Sequence, residues 1–313
     1  IGTFLENELI SKIKSNNNFH PSLNINLPSK INIQNFDNLK NITIKGIDII
    51  VVAVSSVGID WAGEEISKFY KNQIPIIILT KGLSINDDQL ITLSEKLELK
   101  LKNNGHKQIN ISSVKGPCLA SGLANKMRTD TVIANKDIKV AQKIKKIIET
   151  EYYKCEISDD ISGVEFSSAI KNLYSMLIGG SQGLSNPLAP EKIQEKFYLN
   201  TAASLIHRSI SEMVEIVTHY SGRAETVYGL AGLGDLYVSV SGGRNSQMGN
   251  FLGKGHLYKE AKEKFMKNIT VEGAQLALDI GPKLISNFDK KKFPLLFSIL
   301  TCICENKKLN IDW

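Results

Sequence analysis

The chain has 313 residues, 42% of them hydrophobic and 22% charged, with a formal net charge of +6. That is an ordinary globular composition, with length enough for a large core or two domains. No apolar run is long enough to span a membrane and no block of five like charges suggests a nucleic-acid stripe, while the modest positive excess suits small anionic substrates.

In chain order, Glu6 to Ile13 is weakly amphipathic and predicts a helix, and Phe19 to Asp37, rich in Asn, Pro and Ser, predicts loop. Ile1-Gly2-Thr3-Phe4 reads as the end of a strand cut open. Ile49 to Val54 is a continuous apolar run, the pattern of a strand buried on both faces, and it ends at Ser55-Ser56. Ile59 to Tyr70 predicts a helix, Ile74 to Leu79 a second buried strand ending at Thr80-Lys81-Gly82, and Asp88 to Leu101 another helix. Ile109 to Ser112 and Thr131 to Ala134 predict two more strands, the first running on to Lys115-Gly116-Pro117-Cys118. Val140 to Glu149 predicts a helix and Tyr152 to Ile157 a short strand.

Alternating strands and helices imply a helix-covered parallel sheet, whose ligands bind beyond the carboxyl ends of the strands. Ser55, Ser56, Lys81 and Gly116 all follow such ends, so they fall on one rim. From about Ser158 the pattern is helical. Leu199, Ala202, Ala203, Ile206, Ile210, Met213 and Val217 form an apolar stripe that reads as core. There is no repeat and no Gly/Ser or Pro linker, so two halves, 1–157 and 158–313, should pack directly on each other.

The segment from Ile161 to Gly180 organises the second half. Val164, Ala169, Leu173, Met176 and Ile178 lean towards helical spacing, and Asp159 or Asp160 can cap the helix. Lys171-Asn172 sits mid-helix among small residues. Taken alone, Lys171 reads first as a solvent-facing lysine. If buried, its pKa falls, and it becomes a proton donor and acceptor near neutral pH. Gly229-Leu230-Ala231-Gly232-Leu233-Gly234-Asp235-Leu236 reads as a tight turn between helices or as a close approach to a ligand. Gly242-Gly243-Arg244-Asn245 offers a guanidinium fork suited to phosphate, although most arginines are merely solvated. The four cysteines form no C-x-x-C pair and read as free thiols in a reducing cytoplasm. The five histidines are scattered and no metal site is expected.

Thr80-Lys81-Gly82, Gly116-Pro117, Gly163-Val164-Glu165 with Lys171-Asn172, Gly229 to Leu236, Gly242 to Asn245 and Val271-Glu272-Gly273, in that order and spacing, resemble the NAD(P)-dependent glycerol-3-phosphate dehydrogenases over nearly the whole chain. The resemblance implies an α/β Rossmann-type domain, then an all-helical substrate domain. It implies reduction of dihydroxyacetone phosphate to sn-glycerol 3-phosphate, and the reverse, with NAD or NADP, feeding glycerophospholipid synthesis in the cytoplasm. Lys171 would be the catalytic acid/base. Lys81, Gly116, Asn172, Asp235, Ser239, Arg244 and Asn245 would bind substrate, and Ser55, Ser56, Lys81, Ala120, Arg244 and Glu272 the dinucleotide. The expected partner is a small molecule, with no nucleic acid and no membrane span; a homodimer stays open.

The sequence departs from the family at Lys115, commonly Ser, and at Gly122, usually Glu. G-x-G-x-x-G occurs nowhere, and the dinucleotide-binding half is expected to lack its first strand and glycine-rich turn. The competing readings are a related β-hydroxyacid dehydrogenase and an inactive, truncated member of the fold.

Overall fold

A computed structural model describes residues 2–3, 6–41, 46–71, 74–185 and 198–312. The chain opens with helix α1 (Asn7–Ser15). A small antiparallel pair follows, β1 (Phe19–His20) with β2 (Ile25–Asn26), inside the segment expected to be loop. Gly2 makes an isolated parallel bridge to Asn35; Ile1 and Phe4, part of the expected strand end, lie outside the described residues.

The apolar runs then build a five-stranded sheet. β3 (Ile50–Val52), helix α2 (Ile59–Ser67) and β4 (Ile76–Ile78) form a parallel βαβ unit, with Ile50 opposite Ile76. The reading of the first run as buried on both faces needs correction, because Val51 is 53% exposed. Next come β5 (Leu83–Asn86), β6 (Gln89–Thr92) and helix α3 (Leu93–Asn103). The expected helix from Asp88 therefore starts later. Asp87 and Asp88 adopt positive φ angles of 47° and 61°, turning the chain into a two-stranded hairpin, and short acidic side chains tolerate that conformation. Thr92 and Glu95 then cap α3 reciprocally, with Thr92 N–H donating to the Glu95 carboxylate at 2.8 Å.

β7 (Ile111–Lys115) pairs in parallel with β4, Ile76 opposite Ile111. After the short helix α4 (Ala120–Ala124), β8 (Thr129–Ala134) pairs antiparallel with β7. Residues 116–128 spend their length on a turn and a short helix at the rim, so the chain re-enters the sheet from the edge it left. Helix α5 (Ile138–Ile148) returns it to β9 (Tyr153–Ser158), parallel to β8. The sheet is thus a three-strand parallel block joined to a reversed parallel pair, and the carboxyl ends of β3, β4 and β7 share one rim.

The helical half begins with α6 (Ile161–Ser185), capped by the Asp160 carboxylate, which accepts from Gly163 N–H at 2.8 Å. Every residue from Gly163 to Ser181 is buried, so α6 is the axis of this half. Around it lie α7 (Leu199–His219), α8 (Ala224–Tyr228), a π-turn at Leu230–Gly234, α9 (Asp235–Val240), α10 (Arg244–Gly253), α11 (Tyr258–Phe265), α12 (Glu272–Asn287) and α13 (Pro294–Cys304). On α7 the expected stripe holds at Ala202, Ile210, Met213 and Val217. Leu199 and Ala203 face outward instead, and Leu205 and Ile216 fill the core in their place. The hairpin residues Leu83 and Leu90 belong to this helical core, which ties the two halves together.

Helices α6 and α10 cross at backbone contact. A Cβ on Gly249 would overlap the Met176 carbonyl oxygen, and one on Gly253 that of Gly180. This crossing sets the start of α10 beside the middle of α6. We expect Gly249→Ala to cost about 1–3 kcal/mol, as overpacking does, while Gly122→Ala, in open space on α4, leaves stability unchanged or raised. Thermal melts of the two variants make the comparison; equal melting temperatures would contradict the crossing.

Candidate active site

The rim of the sheet and the start of α10 enclose a cavity of ≈ 490 Å³. From the sheet come Ser55 and Ser56, at the turn after β3, and Lys81, after β4. Thr80 anchors that strand end by donating to the Val54 carbonyl at 2.6 Å. From the helices come Lys171 and Asn172 on α6, Asp235 and Ser239 on α9, Arg244 and Asn245 on α10, and Glu272 on α12.

Lys171 is 3% exposed. Its Nζ donates to Asp235 Oδ1 at 2.8 Å and to Ser239 Oγ. Lys81 Nζ donates to the other oxygen of the same carboxylate, so Asp235 bridges two ammonium groups, one from each half. Burial pushes the Lys171 ammonium down to about 8; the neighbouring charge of Lys81 pushes the same way, and Asp235 and Glu272 oppose it.

Asn172 and Asn245 lock the helices around this centre. Asn245 Nδ2 donates to Asn172 Oδ1 at 2.9 Å, and Asn245 Oδ1 accepts from Gly273 N–H at 2.9 Å. A Cβ on Gly273 would overlap the Asn172 carbonyl oxygen, which accounts for glycine in Val271-Glu272-Gly273. Arg244 pairs with Glu272 at the mouth, with 53% and 34% of the two side chains exposed.

Gly116 and Ala120 are not brought to the wall. Gly116 turns the chain after β7 with φ +142°, and its carbonyl accepts from Lys81 Nζ at 3.5 Å. Ala120 is exposed at the start of α4, and Cys118 and Leu119 line the cavity instead. The glycine-rich Gly229–Leu236 segment acts as a turn. A Cβ on Gly232 would overlap the Val227 carbonyl oxygen, and Ala231 packs with Val132, Ala134 and Val164. Its contribution to the cavity is Asp235, delivered at the start of α9. Sequence reasoning missed Gln275 and Asp279, a wall pair one turn apart on α12 with Gln275 Nε2 donating to Asp279 Oδ1 at 2.7 Å; their i,i+4 spacing after Glu272 was the available signal.

A buried lysine held short of full basicity, beside a second lysine and a shared carboxylate, can give a proton to an oxygen acquiring negative charge and take it back. The polar wall offers three cationic side chains, Lys81, Lys171 and Arg244, that can meet an anionic substrate.

Two family models match the chain, that of the NAD-dependent glycerol-3-phosphate dehydrogenase N-terminus over residues 4–141 and that of its C-terminus over residues 160–311. An NADP(+)-dependent glycerol-3-phosphate dehydrogenase of Archaeoglobus fulgidus is 30% identical over 304 residues, which cover 96% of this chain and 86% of that protein. A glycerol-3-phosphate dehydrogenase [NAD(P)+] of Bacillus pumilus is 26% identical over 306 residues, 97% of this chain and 82% of that protein. The crystal structure of the Coxiella burnetii glycerol-3-phosphate dehydrogenase has the same fold, with a TM-score of 0.78 at 23% identity over 97% of this chain and 86% of that one.

Replacing Asp235 by Asn removes the charge that holds both ammonium groups. We expect Lys171 to titrate below about 8 in Asp235→Asn, because burial and Lys81 both disfavour its charged form and only the smaller effect of Glu272 still opposes them. Side-chain NMR titration of the lysines measures this; an unchanged or raised value would contradict the bridging role.

Proposed function

The chain belongs to the NAD-dependent glycerol-3-phosphate dehydrogenase family, and we propose that Lys171 is the acid/base through which it reduces dihydroxyacetone phosphate to sn-glycerol 3-phosphate, and runs the reverse. The observation that carries this reading is the Lys171–Asp235–Lys81 arrangement in the wall of the cavity.

The cofactor is NAD or NADP. The open rim fits it: hydroxyls of Ser55 and Ser56 stand at a parallel-strand end, Lys81 lies beside them, and Arg244 with Glu272 lies across the mouth. These residues would hold the dinucleotide. Ala120, exposed one residue beyond Leu119, would lie at its outer edge. When bound, the reduced nicotinamide supplies the hydride that the carbonyl carbon accepts.

Reduction places negative charge on the carbonyl oxygen. The Lys171 ammonium donates its proton there, and in the reverse direction the Lys171 amine takes the proton from the hydroxyl. Asp235 and Ser239 hold Nζ in place, and Lys81 adds positive charge beside it. Arg244 and Asn245 bind the phosphate, Asn172 orients Asn245, and the turn at Gly116 backs Lys81. In this assignment residues 1–157 bind the dinucleotide and 158–313 the substrate. The free cysteines fit a reducing cytoplasm, with the product passing to glycerophospholipid synthesis. No helix of the described residues is long and apolar enough to cross a membrane.

Lys171→Ala should lower kcat by about a hundred- to ten-thousand-fold with the fold intact. The pH profile carries the sign. Reduction needs the ammonium, so its rate should fall as pH rises through about 8. Oxidation needs the amine, so its rate should rise through the same pH. Initial rates in both directions test this, and limbs of the same sign would refute the assignment.

Arg244→Ala should raise KM for dihydroxyacetone phosphate, by up to the equivalent of about 1.5–3 kcal/mol for a lost charge-assisted bond, reduced by the half-exposed position of the side chain. Steady-state kinetics against a panel including β-hydroxyacids separates a phosphate anchor from a carboxylate anchor. An unchanged KM for the phosphorylated substrate would remove Arg244 from the site.

A further inference from the structure

Lys115 ends β7 directly behind the site, is 2% exposed, and has no part in the proton transfer described above. Burying an ammonium group is expensive unless its donors are used. Two of them are: Nζ donates to the Ile78 carbonyl at 3.0 Å and to the Thr80 carbonyl at 2.9 Å, so the residue before Lys81 is held by it. Glu165 on α6 is its ion-pair partner: Oε1 lies 3.9 Å from Nζ, beyond hydrogen-bond distance, and is buried with no hydrogen-bond partner. The other oxygen of Glu165 accepts from Ser94 N–H at 3.1 Å and Ser94 Oγ at 3.0 Å, at the start of α3. One buried ion pair therefore joins the ends of β4 and β7, the start of α3 and the helix that carries Lys171.

We propose that Lys115 is a positioning residue for the reaction, fixing the Thr80–Lys81 strand end against α6 so that Lys81 meets Asp235 beside Lys171. A serine at this position, with one hydroxyl hydrogen, could not donate to both carbonyls at once and would carry no charge to face Glu165. The charge is continuous with the site. Burial lowers the Lys115 ammonium to about 8, Glu165 and Asp235 pull it upward, and Lys81 pushes it down. The inference rests on the reading of Lys171 and Lys81 as the reacting pair.

The test compares Lys115→Met, Glu165→Gln and the double variant, with Lys171→Ala as reference. Melting temperature, kcat and both KM values are measured with dihydroxyacetone phosphate and NADH or NADPH. Each single variant leaves a buried charge unpaired and should lose stability. The double variant should recover much of the melting temperature, yet keep kcat at least about tenfold low, as expected of a displaced reacting group. In a Lys81→Met background, Lys115→Met should cost little further kcat, because it acts through Lys81. Recovery of kcat together with stability in the double variant, or undiminished kcat in Lys115→Met, would overturn the proposal. If neither the double variant nor Lys115→Gln/Glu165→Gln folds, Lys115 is a determinant of the fold and the proposal likewise fails. Undiminished turnover in Lys171→Ala would instead overturn the underlying assignment.

Discussion

One carboxylate holds the site together. Asp235 accepts from Lys81 on the sheet rim and from Lys171 on the central helix, one oxygen to each. The two lysines come from different halves of the chain, and their mutual repulsion would push them apart without an anion between them. The bridge works because the backbone has already brought the partners together. The π-turn at Leu230–Gly234 places Asp235 at the start of α9, and the turn after β4 places Lys81 opposite. A carboxylate with 4% of its side chain exposed is costly to bury, and two ammonium partners offset that cost better than one.

Close helix packing supplies the rest of the geometry. Glycines on α6 and α10 let the two backbones touch, which a pair of leucine-lined helices could not do. The contact sets Arg244 and Asn245 beside Lys171 and Asn172. The Asn172–Asn245–Gly273 chain of hydrogen bonds then fixes the start of α12, and with it Glu272. The glycines far from any ligand are as necessary to the site as the charged residues that line it.

Much of this was legible in the sequence. Strand ends at Ser55, Lys81 and Gly116 placed a rim, and the apolar spacing from Val164 to Ile178 placed Lys171 on a helix. Burial of Lys171 was not legible, since the same spacing fits a half-exposed helix; nearly all-round burial of α6 comes from the helices packed about it. The hairpin at Leu83–Thr92 was hidden because Asp87-Asp88 is not the Asn-Gly or Asp-Gly pair that announces such turns, although Thr92-x-x-Glu95 marked the true helix start. The reversal at β8 was hidden because an apolar strand carries no mark of its direction. Ala120 lies one residue beyond Leu119, outside the cavity wall that Cys118 and Leu119 form, a placement set by the turn after Gly116.

The placement of charge within the site suits a phosphorylated triose. The cavity wall carries three cations, Lys81, Lys171 and Arg244, and three carboxylates, Asp235, Glu272 and Asp279. Glu165 is committed to Lys115 behind the wall, and Glu272 to Arg244 at the mouth. Asp279 meets the neutral amide of Gln275, and Asp235 is left to hold two lysines, so the charge is positive locally, around Lys81 and Lys171, within a wall that is balanced as a whole. A phosphate carries roughly one and a half to two negative charges near neutral pH and accepts through several oxygens. Its arrival beside the two lysines would add negative charge there, whereas a neutral ketone of the same size would displace water from the ammonium groups and return no charge to them. That local surplus would favour the anionic substrate before chemistry begins, and in the proposed reaction it would stabilise the oxygen that becomes negative beside Lys171.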